Sequence, residues 1–220
     1  MPKGVTHKDN EAYLGDKKLT DLVQEKGFSW LVYYSLSGKE PTKEEARLFC
    51  LIFGISIDHG AETPSALETI KAAKEGKTVP EAIAAGISQI NDVHGGAIEN
   101  AMGIFYQVQE KGLDPKDVVK EHLSEGKRIA GFGHRIYEVD TRAELLLDEL
   151  AKVGDKGFTK IARGIEEELL AQKGKKLPVN IDGAIAVVLC SFGWDPVLSK
   201  SVFVVARTPG LAAQALMAKE

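Results

Sequence analysis

The chain has 220 residues, with 28 Lys+Arg against 32 Asp+Glu for a formal net charge of −4, and 44% of its residues are hydrophobic. That apolar content suffices for a real core in one domain or two small ones, while the acidic balance gives no electrostatic reason to expect nucleic acid or an anionic membrane as partner. No apolar run approaches the ~20 residues of a bilayer span, and the start, MPKGVTHKDNEAYLGD, carries no apolar signal core, so the expected location is the cytoplasm.

The dominant period is helical. Thr42 with Glu45 forms a capping-box signature ahead of Ala46, Phe49, Cys50, Phe53 and Ile57, which predicts a helix running toward Asp58 and His59. Thr78 with Glu81 repeats the signature before Val79, Ile83, Ile87 and Ile90, at steps of four, four and three. A further helix is expected after His94, where Ile98, Met102, Phe105 and Val108 share one face. Asp114 followed by Pro115 starts another through Val119, and Phe158, Ile161, Ile165 and Leu169 mark the next. From Asp182 to Phe192 the sequence is apolar nearly all round, as in a buried helix. Asp195 and Pro196 open the last helical region, which Pro209 should break or restart.

Sustained strand alternation is missing, with KRIAGFGHRIYE and PVNID the only candidates for short extended pieces, so the fold class is mainly α. Glycine, lysine and proline gather in loops at residues 111–114, 126–133 and 173–178. Cys50 and Cys190 both stand in apolar sequence, where a free thiol behaves as a small buried hydrophobe, and a disulfide between them is not expected in a cytoplasmic chain.

Among the five histidines, His59, His94 and His134 each stand at or beside glycine, which lets the backbone approach a ligand closely. Each alone reads as an ordinary hydrogen-bonded histidine; three in similar settings point to a cleft. His7 and His122 lie in polar sequence and read as solvated. Three histidines can hold a catalytic zinc, but no HExxH, CxxC or short His-x-His spacing occurs, so no metal is expected. The glycines of GFGH form neither GxGxxG nor a phosphate-binding GKS/T loop. Asp182 adjoins the most apolar stretch, where an unpaired carboxylate should have a raised pKa; an N-cap role opening the buried helix is equally open. Arg135, Arg142 and Arg207 supply guanidinium forks suited to carboxylates. The run EEELLAQKGKK reads as a solvated helix and loop.

DHGAETPSA, HGGAIENA, GFGHRIYEVDTRAE, VNIDGAIAVV and ARTPGLAA occur in the order of the motifs of the citrate synthase superfamily, and together they run from about Asp58 to Ala213. The earlier GKEPTKEEARLF resembles that family's first helices more weakly. The resemblance implies a large helical domain (residues 1–95 and 193–220) interrupted by a small helical CoA-side domain (96–192), an active site in the cleft, and a homodimer. It implies that His94 hydrogen-bonds the thioester oxygen of acetyl-CoA and its enol, that His134 meets the carbonyl or tertiary hydroxyl of the oxaloacetate half, and that Asp182 is the acid/base at the acetyl methyl carbon. His59, Arg142 and Arg207 match ligands of the substrate carboxylates, and Gly131, Gly133 and Arg135 fall on the CoA side. These roles are chemically coherent: an enolate needs a base at carbon and a donor at oxygen, and a dicarboxylate needs cations.

The sequence departs from the family pattern in places. Glu138 stands where many citrate synthases carry a lysine or arginine thought to help hold CoA, DTR replaces the commoner DPR before Arg142 in a segment one residue shorter, and no arginine follows Arg207. IDGAIA, together with DHG followed by a Pro-Ser pair and the short length, is similar to citryl-CoA lyases and the matching part of ATP-citrate lyase. The expected activity is therefore cleavage of citryl-CoA to acetyl-CoA and oxaloacetate, with the coenzyme A thioester as substrate and no tightly bound cofactor, and a partner protein that forms citryl-CoA is compatible with it. A minimal citrate or methylcitrate synthase and a non-catalytic subunit of the same fold stay open as alternatives.

Overall fold

A computed structural model of the chain describes residues 1–91, 95–134 and 138–220; His94 and Arg135 lie outside the described residues. Eleven α-helices account for most of them, so the chain is mainly α. The N-terminus adds a small antiparallel sheet that the strand expectation did not include: β1 (Val5–Lys8), β2 (Glu11–Leu14) and β3 (Lys17–Lys18). Its first turn is Asp9-Asn10, both with positive φ (51° and 62°), between the paired Lys8 and Glu11. Two left-handed residues match the strand twist, and Asp and Asn tolerate them.

The helices follow as α1 (Leu19–Glu25), α2 (Phe28–Ser37), α3 (Lys43–Ile55), α4 (Pro64–Lys74), α5 (Val79–Ile87), α6 (Ala97–Lys111), α7 (Pro115–Ser124), α8 (Thr141–Ala151), α9 (Phe158–Lys173), α10 (Ile181–Ser191) and α11 (Ser199–Met217), the last preceded by a 3-10 turn at Pro196–Leu198. Both capping boxes form: Thr42 and Thr78 accept from the backbone N–H of Glu45 and Glu81, whose side chains return the bond. Asp114 caps α7 through Lys116 N. α10 is the hub: it packs against α6, α8 and α9, and every residue in it except Asp182 is buried. A second layer joins α4, α5 and the end of α11 through Ala72, Ala73, Ala82 and Ala215, small residues that let three helices approach closely.

Four sequence expectations are corrected. Pro209 does not end the last helix; α11 runs through it unbroken. Packing against α3, α4 and α5 outweighs the local loss, and a Cβ on the following Gly210 would lie 2.0 Å from Ile57 O, so the helix rests on that backbone directly. Asp182 is not the N-cap of α10. Asn180 is, accepting from Gly183 N, which leaves Asp182 at the second helical position. Cys50 is exposed, because it falls on the outer face of α3, and it is unpaired, as is the buried Cys190. His122 is half-buried, its Nδ1 bonded to Val118 O at 2.8 Å, because the histidine turns back along its own helix. Among the described residues, no helix is long and apolar enough to cross a membrane.

Candidate active site

The two extended pieces pair at a single antiparallel bridge, Phe132 with Val179, supported by Gly133 N donating to Pro178 O at 2.7 Å and Asn180 N to Gly131 O at 3.0 Å. This contact carries His134 to the N-terminal end of α10. Asn180 reinforces it, since its Nδ2 donates to Gly133 O at 3.0 Å while its Oδ1 caps the helix. The crossing is tight: a Cβ on Gly131 would lie 2.8 Å from Gly183 Cα, and one on Gly183 would lie 2.3 Å from Gly131 O. Gly131, with φ +87°, is thus required for this close approach.

At this junction a cavity of about 150 Å³ is lined by His59, Gly95, His134, Arg142, Asn180, Ile181, Asp182 and Phe203. His59 arrives on the α3–α4 connection, where Asp58 Oδ1 accepts from the backbone N–H groups of His59 and Gly60 at 2.8 and 3.2 Å. Arg207, from α11, is fully buried; it donates Nε–H to Ser56 O at 3.0 Å and Nη2–H to His59 Nδ1 at 2.8 Å, and lies 4.8 Å from the Phe203 ring centre. Since an arginine only donates, His59 Nδ1 accepts and Nε2 carries the proton. Burial, then the charges of Arg207 and Arg142, push the pKa of His59 down to about 3, so the ring is neutral. Among the described residues, His59 Nε2 and Arg207 Nη1 are buried without a hydrogen-bond partner. Unmatched buried donors cost about 1–3 kcal/mol each, which an anionic ligand would recover.

Arg142 and Asp182 face the same space. Asp140, fully buried, receives Arg142 Nε at 2.9 Å and Nη2 at 2.8 Å in a two-pronged ion pair, and also accepts from Ile181 N at 3.1 Å. Burial raises the pKa of Asp140, but the Arg142 guanidinium and the backbone donors outweigh it and hold the carboxyl below its usual range. Asp182 goes the other way: burial raises its pKa to about 6, against the lowering influence of Arg207 and Arg142. Asp182 is therefore a carboxyl that both holds and releases a proton near neutrality.

A second cavity, of about 530 Å³, adjoins the first at His134. Leu123, Ile129, Phe132, Leu169 and Leu177 give it apolar walls, Gly133 contributes backbone, and Lys127, Arg128, Lys173 and Lys175 supply positive charge. The solvated run EEELLAQKGKK places two of these lysines, both exposed, at the edge of the cavity. Glu138 is exposed and lines neither space. The structure brings together His59, His134, Arg142, Asp182 and, through His59, Arg207; Gly131 sits behind them. Asp140 and Asn180 went unread in the sequence, although each stands just ahead of a helix with a buried apolar face, the ordinary cap signature. No group of three or more His, Cys, Asp or Glu side chains that could hold a metal ion exists among the described residues.

Residues 7–220 match the family described as citrate synthase, C-terminal domain. The citrate synthase of Haloferax volcanii is 34% identical over 193 residues, covering 83% of this chain and 49% of that protein; a probable ATP-citrate synthase of Dictyostelium discoideum is 32% identical over 147 residues, covering 65% and 24%. Among solved structures, the citryl-CoA lyase of Hydrogenobacter thermophilus superposes with a TM-score of 0.91 at 35% identity, covering 98% of this chain and 85% of that one. The ATP citrate lyase of Methanothrix soehngenii, solved with citrate and coenzyme A, superposes at 0.88 and 28% identity, covering 97% and 38%. The chain spans about half the length of the Haloferax relative and about a quarter of the Dictyostelium one.

Proposed function

The chain belongs to the citrate synthase family, and from that premise we propose that it cleaves citryl-CoA to acetyl-CoA and oxaloacetate. In this reading His134 accepts the proton of the tertiary hydroxyl as the carbon–carbon bond breaks, leaving oxaloacetate and the enolate of acetyl-CoA. His94 donates to the enolate oxygen, and protonated Asp182 returns a proton to the methylene carbon. His59, Arg142 and Arg207 bind the carboxylates of the oxaloacetate half. The observation that carries the reading is Asp182, a proton-holding carboxyl on a cavity shared with His134, Arg142 and the unmatched donor of His59.

The larger cavity supports a CoA thioester as the substrate. It has the apolar wall an acyl-pantetheine arm needs and cations for phosphates, and its size is within the ~300–1,000 Å³ usual for such ligands. The small cavity is lined by His59, Gly95 and Phe203 on one side and by His134, Arg142 and Asp182 on the other, which fits a cleft between a larger domain of residues 1–95 and 193–220 and a CoA-side domain of 96–192. The same reading takes the protein as a homodimer without a resident cofactor, supplied with citryl-CoA by a partner protein.

The 34% identity to the Haloferax citrate synthase favours a second reading, net synthesis of citrate with hydrolysis of the thioester. Synthetic citryl-CoA, followed for free CoA and for oxaloacetate, separates the two. Oxaloacetate should form at the faster rate. Formation of free CoA and citrate from acetyl-CoA plus oxaloacetate at an equal or greater rate would establish the synthase. Asp182→Asn should lower cleavage about 10²–10⁴-fold in a folded protein, the scale of a lost acid/base; wild-type turnover would remove Asp182 from the chemistry.

A further inference from the structure

Asp140 is not among the residues to which the family resemblance gives a role, yet it is fully buried at the start of α8 and is met by four donor contacts. Oδ1 accepts from Arg142 N at 3.1 Å and Arg142 Nε at 2.9 Å; Oδ2 accepts from Arg142 Nη2 at 2.8 Å and Ile181 N at 3.1 Å. The bond from Arg142 N is an ordinary helix cap, which Asn or Ser also makes. A cap needs none of the other three. The two-pronged pair fixes the plane of the Arg142 guanidinium where that side chain lines the small cavity. The bond from Ile181 N fixes the first residue of α10, directly before Asp182.

We propose that Asp140 is a positioning residue that holds the Arg142 fork and the Asp182 end of α10 in mutual register, so that dicarboxylate binding and proton transfer are tuned by one buried carboxylate. This rests on the function proposed above for the same cavity. The charge of Asp140 also bears on Asp182, which is faced by Arg207 from α11, by Arg142 and Asp140 at the start of α8, by His59 from the α3–α4 connection and by His134 from the segment between α7 and α8. Arg207 and Arg142 favour the ionised Asp182, and Asp140 opposes them. Neutralising Asp140 removes that opposition, so Asp182 loses its proton at lower pH.

The test compares the full wild-type chain with Asp140→Asn and with Asp140→Ser, the second keeping only an acceptor for the cap. Oxaloacetate binding, measured by calorimetry, should weaken about tenfold or more in both, the scale of a lost charge-assisted two-pronged contact. The limb of citryl-CoA cleavage that falls with rising pH should move to lower pH in Asp140→Asn. In an Arg142→Ala background, Asp140→Asn should weaken oxaloacetate binding little further, because its effect passes through Arg142. Unchanged affinity and an unmoved limb in a folded variant would reduce Asp140 to a cap and overturn the proposal. Failure of both variants to fold, judged by circular dichroism, would assign Asp140 to stability and overturn it equally. Absence of wild-type turnover would count against the proposed reaction, while the binding arm would still decide whether Asp140 orients Arg142.

Discussion

His59 and Asp182 are neighbours with opposite protonation logic. His59 is held neutral in the fold, with a pKa of about 3 against 6.5 for a free imidazole. The stability it contributes is complete above about 6.5 and is lost as pH falls toward about 3, because the unfolded chain takes up the proton first. Asp182, raised from 3.8 to about 6, keeps its proton longer in the fold than out of it. Its contribution is present below about 3.8 and is lost as pH rises through about 6. Between about 4 and about 6 the two slopes oppose, each limited to about 1.4 kcal/mol per pH unit. Urea unfolding of Asp182→Asn should therefore show stability rising with pH across that window, and of His59→Gln stability falling, with the wild type flatter than either. Parallel curves for all three would mean that neither pKa is shifted. By the same argument Asp182→Asn should be more stable than the wild type at pH 7, a gain made at the expense of activity.

The elements around the cavity are set by backbone contact more than by side-chain fill. The 131–134 loop crosses the N-terminal end of α10 at Gly131 and Gly183, where either glycine's Cβ would strike the other's backbone. In an isolated helix Gly→Ala at position 183 would help by about 1 kcal/mol. Here a Cβ 2.3 Å from Gly131 O makes the steric cost decide. Gly183→Ala should destabilise by about 1–3 kcal/mol and displace the loop that carries His134, so thermal unfolding and citryl-CoA turnover should fall together. An unchanged melting temperature would show that the two segments separate freely. α11 teaches the converse: Pro209 removes a backbone donor, yet α3, α4 and α5 enclose the helix and hold it continuous.

At the scale of the whole molecule, the largely apolar α10 serves as a common wall for α6, α8 and α9, and near its N-terminal end the charged Asp182 opens onto the small cavity. Exposed Phe28, Ile57, Leu67, Val197, Leu216 and Met217 are large apolar side chains that this core does not cover. Single exposed apolar residues are common; several on a chain of this size are consistent with the expected homodimer. Sedimentation at micromolar concentration should give a dimer, and a monomer across that range would contradict it.

The capping boxes at Thr42 and Thr78, the apolar faces of α6 and α9 and the buried character of α10 were legible in the sequence, because a cap or a face is written in residues three or four apart. The raised pKa of Asp182 was legible for the same reason, since its apolar neighbours adjoin it in the chain. Local signals failed where a partner lies far away. The Arg207–His59 bond spans 148 positions and the Asp140–Ile181 bond 41, so the neutral imidazole, the unmatched donors and the clamp on Arg142 exist only once those segments meet. Lys173 and Lys175 are exposed, as their polar sequence implies, and only the fold shows that they also line a cavity. Sequence alone determined the helices that carry a cap or an apolar face, such as α3, α5, α6, α7, α9 and α10, and which side chains can do chemistry, while α1, α2, α4, α8 and the N-terminal sheet went unread; tertiary structure decided which of those side chains share a space, because burial and charge are set by whatever packs against a residue, not by its neighbours in the chain.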